Sequence, residues 1–431
     1  MSFPKYSNYR EIGIEWIGSV PDHWDILPIK RHFRLLTNKT DSRSFSVALE
    51  NIESWTGRYL PTESEFEGEG VVFQEGDILF GKLRPYLAKA MVAPRSGEAI
   101  GDFLVMRPGD RVVSRFAAYQ MLTREFISIV DGATFGTKMP RASWEFVGGM
   151  VLPLPSKDEQ VSIVAFLDRE TAKIDALVAE QERLIELLEE KRQAVISHAV
   201  TKGLDPDVST KDSGAGWIGS VPDHWQPLRL KFAVRLNPSK SEAAKIDRFE
   251  EVSFLPMEAI GEDGSISLEY SRPIAEVQTG YTYFRDGDVT IAKITPCFEN
   301  GKGAVMQGLL GGIGFGTTEL IVARPLNNKV SAKFLHSIFK SDAFRGIGQA
   351  SMYGAGGQKR VPDDFVRNFR APIPPLSEQL AIQNFIDSET AKIDALAVEH
   401  KHLIDLLEER RSALISATVT GQIDVRQLEA A

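Results

Sequence analysis

Cysteine is nearly missing from this chain. Cys297 is the single cysteine in 431 residues, so no internal disulfide can form, and with only seven histidines and no Cys/His cluster a zinc site is not indicated. No apolar run is long enough to cross a bilayer and no basic-then-apolar leader opens the chain, so the expectation is a cytoplasmic protein without a membrane partner. The glycine clusters at Gly311 to Gly316 and Gly354 to Gly357 lack the spacing and the strand-loop-helix setting of a phosphate cradle. Asn237-Pro-Ser lacks the second proline and the aromatic of a base-methylating motif, and no His/Asp/Glu set has metal or triad spacing. Basic residues are outnumbered by acidic ones, for a formal net charge of −9. That excludes a protein that coats nucleic acid with its whole surface, but not one with a local basic groove. These absences describe a chain that binds something and does not transform it.

What remains is ordinary in composition, 43% hydrophobic and 25% charged, and long enough for two or three domains. Its organisation is a tandem duplication. Glu170-Thr-Ala-Lys-Ile-Asp-Ala-Leu177 recurs letter for letter as Glu389 to Leu396, and L-L-E-E-K-R from Leu187 is answered by L-L-E-E-R-R from Leu406. P-L-P-S-K-D-E-Q from Pro153 is answered by P-I-P-P-L-S-E-Q from Pro372. In each copy apolar residues fall on heptad a and d positions: Ile174, Leu177, Leu184, Leu188 and Val195, then Ile393, Leu396, Leu403, Leu407 and Leu414. Two helices of about 40 residues, roughly 60 Å each, are expected to zip together as a spacer. Asp158 and Ser377 are the expected N-caps, and Gly203 and Gly421 the stops. Polar layers at Gln181 and His400, and at Lys191 and Arg410, would fix register.

A second repeat, the nine residues Trp16 to Trp24, returns unchanged at Trp217 to Trp225. Its Pro-Asp pairs read as turns, its tryptophans as anchors, and His23 and His224 as structural. Between these repeats and the helices lie two inserts of one plan and different letters. Val71 to Pro85 reads as strand, Gly-Asp turn, strand and basic loop, and Phe284 to Pro296 matches its part from Phe73 to Pro85, aligning Lys82 with Lys293. Helical periodicity from Ser114 to Val130 has its counterpart at Ser331 to Phe344. Each is followed by a glycine-rich basic loop, Asp131 to Arg141 and Gln349 to Arg360. The expected layout is a first insert within 1–155, a helix over 156–203, a linker and second insert over 204–374, and a second helix with its C-terminal segment over 375–431.

Duplicated E-T-A-K-I-D-A-L and L-L-E-E-[KR]-R helices, each preceded by a P-L-P-type strand end and a variable insert, resemble the specificity subunits of type I restriction-modification systems. The resemblance covers essentially the whole chain. It implies an α/β (α+β) fold with a pseudo-twofold internal repeat: two similar target recognition domains separated by an antiparallel coiled coil of two long helices. It also implies a non-catalytic subunit that reads a bipartite site on double-stranded DNA and binds two modification (methyltransferase) subunits through its helices. Restriction (translocase/nuclease) subunits would join them. S-adenosylmethionine, ATP and Mg would then belong to the partner subunits and no cofactor or metal to this chain.

Side chains suited to base edges are arginine and lysine for guanine, glutamine and asparagine for adenine. The candidates in the first insert are Lys82, Arg84, Thr137, Lys138 and Arg141, and in the second Lys293, Gln358, Lys359 and Arg360. Half-sites separated by about one helical turn, roughly 34–36 Å, would follow from dimer-like reading. The alternatives are a coiled-coil scaffold without sequence-specific DNA binding, and the specificity part of a self-contained modification enzyme.

Overall fold

A computed structural model describes residues 3–428, apart from 15, 43, 63–67, 137 and 356. It divides into two compact units, one of residues 1–182 with 401–431 and one of residues 183–400. The first unit is therefore assembled from both ends of the chain.

Each unit contains two four-stranded sheets. In the first, one sheet runs Phe33–Leu36, Phe103–Pro108, Ile78–Gly81, Ala90–Val92, antiparallel throughout. The second unit repeats it as Val234–Leu236, Leu320–Pro325, Val289–Ala292, Gly303–Val305. In the other sheet the middle is also shared: Gly97–Ile100 lies between antiparallel Gly70–Phe73 and parallel Ser46–Val47, as Ile313–Gly316 lies between Thr282–Arg285 and Glu251–Leu255. The fourth strand differs. Lys39–Thr40 extends the sheet beyond Gly70–Phe73 in the first unit, whereas Ser271–Pro273 extends it beyond Glu251–Leu255 in the second. The longer second insert thus adds its strand at the opposite edge.

The Gly-Asp turns have a buried purpose. Asp77 takes the N–H of Gln74 at 2.7 Å and both ends of the Arg107 guanidinium at 2.7 and 2.8 Å. Asp288 takes the N–H of Arg285 at 3.0 Å and is gripped likewise by Arg324. Each arginine thereby ties the first strand of a hairpin's neighbour to the turn that opens it.

The two long helices, Lys157–Lys202 and Leu376–Val419, are 46 and 44 residues long. In the first unit Arg411 donates to Asp175 at 2.8 Å, and Ile174 and Leu414 share one core with Phe116, Phe126 and Trp24. In the second, Arg192 pairs with Asp394 at 3.3 Å, and Ile196, Ala199 and Val200 share a core with Ile382, Ile386 and Trp225. Numbers rising along one helix meet numbers falling along the other, so the pairing is antiparallel.

The heptad expectation needs correction. Ile174, Ile393 and Leu414 are buried and Leu184, Leu188, Val195 and Leu407 half-buried, but Leu177, Leu396 and Leu403 are more than 40% exposed while Gln181 is buried. Lys191 and Arg410 are exposed, so they form no layer of a seam. An apolar stripe with Leu187 and Leu406 also exposed is wider than one antiparallel neighbour can cover. The caps differ too. The hydroxyl of Ser156, not the Asp158 carboxylate, accepts the Glu159 N–H at 3.3 Å, and Pro375 holds the matching place before the second helix, leaving Ser377 inside its first turn. The glycine stops are as expected, with φ of +77° at Gly203 and +80° at Gly421.

After each stop the chain meets its tryptophan repeat. Gly203 lies against Trp225, and Gly421 against Pro21 and Trp24, where a Cβ would come within 2.4 Å of the proline ring. The Asp424 N–H donates to Pro4 O at 2.9 Å, Tyr9 to Gly421 O at 3.0 Å and Gln422 to Ser19 O at 2.8 Å. The polar stretch after Gly203 is not a plain linker: Thr210–Asp212 pairs with Ser220–Pro222, and Ser213 is buried. A circular permutant joining residue 431 to residue 1 is therefore best opened between Asp205 and Asp207, which are exposed, and not at Ser213. It should fold with an unfolding midpoint near that of the parent, whereas opening at Ser213 should lower it; scanning calorimetry of the two permutants compares them.

Candidate nucleic-acid interface

The two glycine-rich loops end in the same hydrogen-bonded clamp. In the first unit Lys82 N–H donates to Asp102 O at 2.9 Å, Arg84 N–H to Pro140 O at 2.8 Å and Ala142 N–H to Lys82 O at 2.9 Å. In the second, Lys293 N–H donates to Glu319 O at 2.9 Å, Thr295 N–H to Lys359 O at 3.0 Å and Val361 N–H to Lys293 O at 2.8 Å. Bond for bond these are equivalent. Inside each clamp the loop closes on itself through paired bonds between Phe135 and Arg141, or Tyr353 and Arg360. The second loop is one residue longer between those ends.

Each closing arginine is held by a carboxylate. Arg141 grips Asp102 with Nε and a terminal nitrogen at 3.0–3.1 Å, and Arg360 grips Glu319 at 2.8 and 2.9 Å. The ion pairs raise both guanidinium pKa values above the ordinary range, and the Arg360 hydrogen bond, outweighing partial burial, lowers that of Glu319. Two planar forks matched to two carboxylates make a latch that fixes where the loop begins and ends.

The sequence-derived candidates consequently fall into two sets. Arg141 and Arg360 are engaged in the latches, and Lys82 reaches the same Asp102 at 3.7 Å. Lys293 is half-buried on one wall of an open cleft of about 420 Å³, with Tyr353, Arg360 and Asp363 among its other residues. Arg84, Lys138, Gln358 and Lys359 are exposed. Arg84 has the left-handed φ of +49°, which suits the turn into Pro85. Thr137 lies outside the described residues. The clamp thus gathers the described candidates of each insert into one place, with Arg141 and Arg360 paired to carboxylates and Arg84, Lys138, Gln358 and Lys359 exposed.

Sequence reasoning overlooked Asp102, Glu319, Phe135 and Tyr353. The acids were findable, because each stands directly before the strand that carries the arginine paired to the Gly-Asp turn, Phe103–Pro108 or Leu320–Pro325. Among the described residues no group of three or more His, Cys, Asp or Glu side chains could hold a metal ion, and no helix is long and apolar enough to cross a membrane.

No family model matches the chain. It is 37% identical over 210 residues to the EcoEI type I restriction enzyme specificity subunit of Escherichia coli, and 39% identical over 210 residues to the EcoAI counterpart. Each match takes in 48% of this chain but only 34% and 35% of those proteins' lengths. A putative specificity subunit of Methanocaldococcus jannaschii, MjaX, aligns over 99% of both chains at 20% identity. The relatives this chain resembles are type I restriction enzyme specificity subunits. Its fold is that of solved structures of the same kind: a chain from a type I R-M system matches with a TM-score of 0.70 over 94% of this chain and 99% of its own, at 15% identity. The HsdS subunit of Thermoanaerobacter tengcongensis gives 0.51 over 94% and 98%, at 17% identity. The helices and tryptophan repeats are the parts this chain states twice in nearly the same letters, and the clamped loops are the parts it states in two versions.

Proposed function

We propose that this chain reads a two-part site on double-stranded DNA, one half through each unit. It would deliver that site to two methyltransferase subunits, and to restriction subunits where these are present. The chemistry, with S-adenosylmethionine, ATP and Mg, resides on those partners. The observation that carries this reading is one clamp holding two differently lettered loops. A scaffold would have no use for rigid, equivalent supports under divergent cationic tips, whereas two unlike half-sites require them.

The test uses Lys359, which is exposed and can be altered while Arg360 stays latched to Glu319. Lys359→Ala should relax base preference in the half-site read by the second unit alone, at a cost of about 1–3 kcal/mol if it meets a base edge. Site selection from random duplexes by the full chain with its methyltransferase partners measures this. A uniform loss with a shallower salt slope would instead make Lys359 a phosphate contact. No selected sequence with the parent chain would favour the scaffold reading.

A further inference from the structure

Phe135 and Tyr353 stand at the same place in the two clamps, each across the bonded pair from its latched arginine, and each is 63% exposed. A single exposed aromatic is unremarkable on a protein surface. Two at equivalent positions are not, because beyond the positive-φ glycine that follows each ring, Gly136 or Gly354, the loop letters up to Pro140 and Lys359 have diverged. What persists is a six-membered ring on a backbone held at both faces, by the paired bonds to the arginine and by the clamp beneath. What changes is the hydroxyl.

The neighbours decide what meets the ring. Lys138 and Arg84 flank Phe135's loop, and Lys359 and Lys293 flank Tyr353's. Cations around an exposed ring suit a polyanion whose bases offer apolar edges and faces. A methyltransferase partner that docks twice would be met by matching letters, as the long helices supply. The ring positions match only in kind.

We propose, resting on the DNA-reading function above, that Phe135 and Tyr353 are specificity-determining contacts that press an aromatic ring against a base of their own half-site. The ring supplies the contact and the latch supplies its aim: Arg141 with Asp102, and Arg360 with Glu319, hold the strand opposite. The recognised chemistry is apolar, a thymine methyl group or an exposed base face. Tyr353 carries a hydroxyl that Phe135 lacks, so the two contacts need not select the same base.

The experiment is site selection and competition binding by the full chain with its methyltransferase subunits, for Phe135→Ala, Phe135→Leu, Tyr353→Ala and Tyr353→Phe. Phe135→Ala should weaken binding about tenfold and relax one position of the first half-site only; Tyr353→Ala should do the same in the second. Tyr353→Phe should keep affinity within about twofold, and Phe135→Leu should fall between parent and alanine. Thermal unfolding should be unchanged, since neither ring belongs to a core. Alanine variants that select the parent site with parent affinity would overturn the inference while leaving the DNA-reading function standing. So would variants that lose their methyltransferase subunits but keep the site, which would make the rings a protein contact. A parent complex that selects no sequence would remove the function itself, and this inference with it.

Discussion

Trp225→Ala is expected to destabilise the second unit by about 3–5 kcal/mol, the range for emptying a large aromatic site. Trp225 is fully buried, packs in the core with Ile196, Val200 and Phe369, and closes on Gly203 at the end of the long helix. Its indole N–H donates to Glu378 at 3.0 Å, while His224 meets the other oxygen of that carboxylate at 2.7 Å. Trp225→Phe keeps most of the volume but removes the donor, so about 1–2 kcal/mol is expected from the unsatisfied carboxylate. Trp24 repeats the arrangement on Glu159, at 3.2 Å, with His23 at 3.1 Å and Tyr6 donating to the same carboxylate at 2.6 Å. Hydrogen exchange should show protection lost around residues 220–230 and 370–386 in the Trp225 variants. Protection lost equally around Trp24 would mean that the units do not unfold separately.

Arg324→Met should cost about 3–5 kcal/mol, because it strands a buried carboxylate. The Arg324 side chain is 9% exposed and Asp288 only 1%, and Glu242 adds a second acid at 3.1 Å. Burial, then Glu242, pushes the neighbouring Tyr283 phenol up, so it remains a neutral donor to that acid at 3.1 Å. Arg107→Met, its counterpart, should cost clearly less. Arg107 is 30% exposed, so water can take up part of the loss at Asp77. Denaturant titration of the two variants compares them, and equal costs would show that solvent access does not set the difference.

The duplication, the long helices, their stops and the paired loops were legible because they are local or repeated: identical octets, glycine after a periodic run, Gly-Asp between alternating strands. Partnerships over long separations were not. Nothing near Gly287-Asp288 announces Arg324, although M-R-P and A-R-P at Arg107 and Arg324 repeat in place. The ion pairs of Arg141 and Arg360 were not legible, because a sequence shows a cation's charge and not the carboxylate beside it. The heptad misled for a related reason. Periodicity reports that a face is apolar, but Leu177, Leu396 and Leu403 lie on the part of that face which the antiparallel neighbour does not reach. Phe135 and Tyr353 were hidden in plain view, since a lone aromatic in a glycine-rich loop has no period to belong to.

The division of the first unit between residues 1–182 and 401–431 sets the order in which a ribosome can complete the molecule. The second unit is one unbroken stretch, so all of its parts have been synthesised once residue 400 is in place. The first insert is made earlier but must wait. Its core stays open until Leu414, Ile415, Val419 and Ile423 arrive to cover Ile163, Phe166 and Ile174, and until Asp424 bonds to Pro4. The usual N-terminal-first order of domain maturation is thus inverted, and the half translated first is the half finished last. A nascent chain stalled near residue 400 would carry one completed half and one with its apolar face uncovered, and a premature stop there would damage the beginning of the protein more than its middle.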